Sequence, residues 1–170
     1  QPEGLVTSFS MSKAIVGTLL GLAIQDGYIE SLNQPVTHFL PELASQGFED
    51  VQLRHLANMC SGLHYGSGFV SFFYEAGKIY YTRRLRRHVN NTRAPIPAGQ
   101  EFAYLNTNTE ILTMVLEKAT GKRIHQYLQE RLWQHIGTEQ PLIWSADNAR
   151  PDALPKAFCC MNAVAHDFAK

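Results

Sequence analysis

Apolar residues recur at helical spacing in several stretches of this chain. Over residues 10–25, Ile15, Leu19, Leu22 and Ala23 mark one face, and Val16, Leu20 and Ile24 extend the apolar surface nearly all round. That pattern predicts a helix belonging in an interior. Gly17 and Gly21, four apart, leave a flat stripe on it where another element can approach closely, at a propensity cost of about 1 kcal/mol each. Gly27 suits the left-handed residue that closes a helix, and Asn33-Gln34-Pro35 reads as loop. Pro41 prevents a long helix over 35–43. Asp50 is placed to cap a short helix running to Asn58, with Val51, Leu53, Leu56 and Ala57 as its apolar positions.

Beyond the glycine-rich stretch Ser61 to Gly68 lies an aromatic cluster of Phe69, Phe72, Phe73 and Tyr74. A helix is predicted over 75–88, ending in Arg83, Arg84, Arg86, Arg87 and His88. The best-marked later helix covers 106–120, where Ile111, Leu112, Val115, Leu116 and Ala119 share a face and Gly121 ends it. Another is predicted over 124–136 with Tyr127, Leu128, Leu132 and Trp133 inward, and 162–170 reads as the start of a helix. Few segments alternate as a half-buried strand does. Residues 101–105 are the best candidate. No internal repeat or interdomain linker interrupts the chain, so the pattern predicts one domain, mainly α.

With 170 residues and 45% hydrophobic content, disorder is excluded and a packed core is expected. Fifteen basic and fifteen acidic side chains balance, which argues against a nucleic-acid binder held by bulk electrostatics. Arg83 to His88 accordingly reads as a solvated helix end. The longest apolar run, 14–24, is broken by Gly17, Thr18 and Gly21 and is too short to enter a bilayer as a span. Cys60, Cys159 and Cys160 are odd in number and two are adjacent, so no disulfide framework is legible; a reducing compartment is slightly favoured, and Cys159-Cys160 reads as small buried residues beside Phe158. No metal-ligand spacing occurs, so no metal is expected.

Two short motifs carry candidate chemistry. Ser10-Met11-Ser12-Lys13 sets a hydroxyl and an ammonium one helical turn apart on the same face. A helix start adds positive partial charge, which favours a developing alkoxide and then an oxyanion. The plainer reading is a solvent-facing Ser/Lys pair. Tyr104-Leu105-Asn106, if extended, throws the phenol and the amide to one side, toward a common pocket. A tyrosine beside Lys13, held partly as phenolate, is suited to take the Ser10 proton. The plainer reading here is a core tyrosine followed by Asn106 as a helix cap.

Read with their surroundings, these motifs resemble the serine β-lactamase and penicillin-binding-protein superfamily. The resemblance runs in order through Phe9-Ser10-Met11-Ser12-Lys13-Ala14, Gly27-Tyr28-Ile29, Asn33-Gln34-Pro35-Val36 and Phe39-Leu40-Pro41-Glu42-Leu43. It continues through Leu53-Arg54-His55-Leu56, Ser61-Gly62-Leu63, Pro97-Ala98-Gly99, Tyr104-Leu105-Asn106, Leu116 to Lys122, Leu132-Trp133 and Asn162 to Ala169. It is strongest toward the branch with class C β-lactamases, esterases and aminohexanoate-oligomer hydrolases.

The resemblance implies a serine hydrolase forming a covalent acyl-enzyme on a small ester or amide, with no cofactor and no metal. Ser10 would be the nucleophile, Lys13 its electrostatic activator and Tyr104 the general base. Asn106 would hydrogen-bond a substrate carbonyl or support Lys13, the Ser10 N–H would be one oxyanion donor, and Phe69 and Phe72 would wall the substrate, plain core packing being the alternative for that aromatic cluster. The family's third motif, a Lys/His-x-Gly triplet on a late strand, has no counterpart in place; His135-Ile136-Gly137 fits the letters but sits at a helix end. Met59-Cys60 stands where relatives often carry His-Thr. The expectation is the central helical portion of an α/β (α+β) β-lactamase-like fold whose antiparallel sheet is largely missing from this chain. The sheet-facing side of the 10–25 helix would then be a sizeable apolar patch, covered by a further segment of the protein or by a second copy in a homo-oligomer. The alternative is a non-catalytic module that binds a partner through that face.

Overall fold

The chain opens with a short strand, β1 (Leu5–Thr7), a 3-10 turn (Phe9–Met11) and a long helix, α1 (Ser12–Gln25). Short helices α2 (Val36–Phe39) and α3 (Leu53–Ala57) follow, then α4 (Phe69–Tyr81), α5 (Leu85–Asn90), α6 (Asn106–Thr120) and α7 (Ile124–Leu128). Two late strands, β2 (Ile143–Trp144) and β3 (Met161–Val164), complete a small antiparallel sheet of order β1-β3-β2. The structure, a computed structural model, describes residues 4–65 and 69–170, with the backbone alone over 69–73. Helix predominates and the sheet is small, as the partial β-lactamase-like fold predicts.

The axis of the structure is α6, against which α1, α3, α4 and α5 pack. Its apolar face predicts one buried side, yet Asn106, Thr107, Asn108, Thr109, Glu110 and Thr113 are buried as well. Most of their polar atoms are occupied from within: Thr113 Oγ1 donates to Thr109 O at 2.9 Å, and Ser61 Oγ donates to Asn108 Oδ1 at 2.5 Å. Gly121, at φ 67°, closes the helix in the left-handed region. On α1, Val16, Leu19, Leu20 and Ala23 face this core, while Ala14, Gly17, Thr18 and Gly21 face outward. The outward side of α1 is therefore small in texture rather than the sizeable apolar patch expected. Large exposed apolar side chains do lie on the sheet and its approach to α1, at Leu5, Val6, Phe9, Met11 and Ile143.

Several sequence expectations need correction. The helix predicted over 75–88 begins earlier, at Phe69, and stops at Tyr81 before resuming as α5. The break holds because Thr82 Oγ1 accepts the Arg84 N–H at 3.2 Å and the distant Asp147 Oδ2 accepts the Leu85 N–H at 2.8 Å. Asp50 does not cap α3; the Gln52 N–H is taken by His55 Nδ1 at 3.1 Å. Residues 101–105 form no strand, because only single backbone bonds reach them and no ladder runs alongside. The helix expected over 162–170 is strand β3, paired with β1 (Leu5↔Val164, Thr7↔Asn162) and β2 (Trp144↔Met161), followed by a 3-10 turn at Asp167–Ala169. Pairing on both sides overrides its local helical look. The predicted 124–136 helix is α7 continued by a π turn over Gln129–Trp133. Cys159 and Cys160, both buried, are joined to each other in a disulfide, against the sequence reading of two unlinked thiols.

A wholly buried carboxyl ties α6 to the approach of β3. Glu110 Oε1 accepts the Ala157 N–H at 2.5 Å, while Oε2 has no partner among the described residues. Burial pushes this carboxyl up to about 8, from 4.5, against the backbone bonds of Ala157 and Phe158 that favour its charge. The native state therefore holds a proton that the unfolded chain releases above pH 4.5. Stability from this group is full below that value, falls as pH rises toward 8, and levels off beyond, by at most about 5 kcal/mol. Glu110→Gln keeps the acceptor and removes the ionisation. Its expected result is a Tm profile lacking the wild-type decline between pH 5 and 8, read by thermal melts of both proteins.

Candidate active site

Ser10 lies in the 3-10 turn that leads into α1, one residue past Phe9. Phe9 has φ 46°, in the left-handed region that costs a bulky residue about 1–3 kcal/mol. The turn is braced on both sides. Ser12 Oγ donates to Phe9 O at 2.9 Å, and the Ser8 N–H donates to Met161 O at 2.8 Å, so the β1–β3 pairing continues to the residue two before Ser10.

Lys13 follows Ser10 by one turn, and its Nζ donates to Ser10 Oγ at 3.0 Å. The same ammonium donates to the backbone carbonyl of Phe158 at 2.9 Å. Phe158 stands just before β3, in the segment held by Glu110. The solvent-facing reading of the Ser/Lys pair thus fails for Lys13, which is half-buried and tethered from across the fold.

Tyr104 arrives from the far side on an irregular segment suspended from residues 59–60. Gly99 N–H donates to Cys60 O at 2.7 Å and Ala103 N–H to Met59 O at 2.8 Å. The neighbouring turn admits only glycine at 62: with φ +80°, an added Cβ would sit 1.8 Å from the Ile96 carbonyl oxygen. Leu105 is extended (φ −123°, ψ 132°), which sets Tyr104 and Asn106 on one side. Lys13 Nζ stands 4.9 Å from the centroid of the Tyr104 ring. Tyr104 is 40% exposed, so it is no core tyrosine. Asn106 is buried and does not cap α6, since Leu105 holds the cap position and the Asn106 amide turns elsewhere. The structure thus brings together Ser10, Lys13 and the Tyr104 ring, with Asn106 two residues beyond. The Phe69 and Phe72 side chains lie outside the described residues.

Two contributors escape the sequence reading. One is the Phe158 carbonyl, a backbone atom with no letter of its own. The other is Glu75 on α4, fully buried, which accepts from Asn106 Nδ2 at 3.1 Å, from the Thr107 N–H at 2.7 Å and from Thr107 Oγ1 at 2.8 Å. Burial pushes Glu75 above the usual carboxylate range, opposed by these hydrogen bonds and by the charge of Lys13. A carboxylate directly after Phe72-Phe73-Tyr74 is the available signal, because a lone charge within such an apolar turn needs partners. Among the described residues no three His, Cys, Asp or Glu side chains gather to hold a metal ion. A cavity of about 810 Å³ opens elsewhere, lined by Trp133, Leu142, Trp144 and Pro155 and by none of Ser10, Lys13 or Tyr104. Size favours that cavity, but the convergence of an alcohol, an ammonium and a phenol ring favours Ser10 as the reactive centre.

Known proteins resemble the chain over most of its length. The chain is 26% identical over 157 residues to the 6-aminohexanoate-dimer hydrolase of Paenarthrobacter ureafaciens, a match covering 86% of this chain and 40% of that protein. It is 26% identical over 163 residues to the D-aminopeptidase of Gluconobacter oxydans, covering 89% and 28%. The chain therefore spans less than half the length of these curated relatives. In fold it superposes on a penicillin-binding protein from Bacillus halodurans with a TM-score of 0.78 at 17% identity, over 99% of this chain and 59% of that one. The family profile described as Beta-lactamase matches residues 1–154, a stretch that holds Ser10, Lys13, Tyr104 and Asn106 alike, and on that match the chain belongs to the β-lactamase family.

Proposed function

We propose that the protein carrying this chain is a serine hydrolase that cleaves an ester or amide bond through a covalent acyl-enzyme on Ser10. The observation that carries the reading is the Lys13 Nζ–Ser10 Oγ hydrogen bond of 3.0 Å, with the ammonium fixed by the Phe158 carbonyl and facing the Tyr104 ring. A tethered lysine one turn from an exposed serine supports negative charge as it develops on Oγ.

Ser10 Oγ attacks the substrate's carbonyl carbon, and its proton passes to the oxygen of Tyr104, which enters the step as the phenolate and leaves it as the phenol. The carbonyl π pair moves onto oxygen, where the Ser10 N–H donates a hydrogen bond to it. Collapse breaks the bond to the leaving alcohol or amine, which takes the proton back from Tyr104 and leaves Ser10 acylated. Water then repeats the two steps, giving the acid and restoring the serine. Asn106, whose Nδ2 is taken by Glu75, has Oδ1 left to support the Lys13 ammonium or to accept from an N–H of the substrate. The names of the two relatives, one an aminohexanoate-dimer hydrolase and one an aminopeptidase, favour an amide among the natural substrates.

A fluorophosphonate probe, followed by intact-mass and peptide mapping, tests the assignment. A panel of chromogenic short-chain esters, linear amides of ω-amino acids, D-amino-acid peptides and β-lactams then sorts the substrate class. The expected result is one adduct, on Ser10, with turnover of at least one ester or amide. An adduct on another residue overturns the roles of Ser10, Lys13 and Tyr104, and absence of both adduct and turnover favours the non-catalytic module.

A further inference from the structure

The Asn106 side chain is an amide, and its two ends offer opposite chemistry: Nδ2 donates and Oδ1 accepts. Which end faces the reacting groups is not decided by Asn106 itself. It is decided by the group behind it. Glu75 Oε2 lies 3.1 Å from Nδ2, and an ionised carboxylate only accepts, so the nitrogen must point to Glu75 and the oxygen away from it. The other carboxylate oxygen is held as firmly, taking the Thr107 N–H at 2.7 Å and the Thr107 hydroxyl at 2.8 Å.

We propose that Glu75 is a positioning residue of the active site: its carboxylate sets the orientation of the Asn106 amide, so that Oδ1 is the end presented to Lys13 and substrate. The inference rests on the serine-hydrolase reading for its catalytic consequence, though not for the orientation itself. Full burial of Glu75 supports it, because a carboxylate without these partners would be strongly disfavoured there. A general anchoring role for α4 does not account for the pattern. All three bonds end on the first two residues of α6, but the one to Asn106 holds a side-chain amide two residues from Tyr104, which anchoring the helix through its backbone does not require.

The nearly isosteric Glu75→Gln separates orientation from packing. Thr107 still demands an acceptor through two donors, so the new amide keeps its oxygen on that side and turns its NH₂ toward Asn106 Nδ2. Two donors then face each other, and Asn106 flips. A second change, Asn106→Asp, restores an acceptor opposite the new NH₂ and again leaves an oxygen on the far side, with total charge conserved across the pair.

The experiment compares wild type, Glu75→Gln, Asn106→Asp and the double variant by thermal melting and by steady-state hydrolysis of a chromogenic ester. Each single variant is expected to melt below wild type and the double to regain most of the loss, since Asn106→Asp alone sets two carboxylates against each other. For turnover, Glu75→Gln is expected to lower kcat about ten- to a hundredfold with KM nearly unchanged, the scale of one misdirected hydrogen bond, and the double variant to recover part of it. Additive melting effects overturn the orientation role whatever the enzyme does. A wild-type kcat retained in Glu75→Gln, in protein labelled at Ser10, overturns the catalytic consequence. If wild type neither labels nor turns over, the serine-hydrolase reading fails while the melting comparison still decides the orientation.

Discussion

Ser10→Ala is expected to lower ester or amide turnover by about 10⁴-fold or more, because removing the nucleophile of a coupled unit leaves only what binding and oxyanion donors supply. The folded structure should tolerate the change. Ser10 is exposed, and among the described residues the one side-chain bond lost is that from Lys13, whose ammonium keeps the Phe158 carbonyl at 2.9 Å. Thermal melting within about 1 kcal/mol of wild type, the range of most surface substitutions, together with complete loss of fluorophosphonate labelling, is the combined outcome expected. A labelled Ser10→Ala protein would place the nucleophile elsewhere.

Tyr104→Phe is the second large effect, a fall in kcat of about 10²–10⁴-fold, the size of a general-base contribution. This variant is informative because the ring remains. Lys13 Nζ faces the aromatic ring 4.9 Å from its centroid, and phenylalanine offers the same face, so the electrostatic contact persists and only the hydroxyl is withdrawn. Labelling of Ser10 should slow without disappearing, and KM should move far less than kcat. Should KM rise with kcat unchanged, Tyr104 binds substrate and moves no proton.

The neighbourhood of Ser10 and Lys13 is legible in the sequence because a single helical turn joins the two residues, and helical periodicity is local. The ends of α6 are legible for the same reason: Gly121 closes it in the left-handed region and the apolar spacing from Ile111 to Ala119 fills it. What the sequence hides depends on elements far apart along the chain. Met161-Asn162-Ala163-Val164 lacks strand alternation and becomes the central strand only because β1 and β2 flank it. Residues 101–105 look more like a strand yet find no partner to pair with. The same distance hides Glu75, read as part of an ordinary helix until Asn106 and Thr107 close on it from 31 and 32 residues away. Polar burial along α6 is invisible to a hydrophobic pattern, since Thr107, Asn108 and Glu110 take their partners from Glu75, Ser61 and Ala157.

The grip on Lys13 by the Phe158 oxygen has an evolutionary corollary. Every amino acid brings a carbonyl, so no change of letter at 158 can delete this acceptor, and the position is open to drift within what the core accommodates. Length is another matter. Between Phe158 and the Met161 oxygen that receives the Ser8 N–H lie only two residues, and β3 is registered on both neighbours immediately after. Losing or gaining one residue there would slide a different carbonyl, aimed differently, to the ammonium. Descendants of this chain should therefore vary in spelling across that stretch and agree in its count.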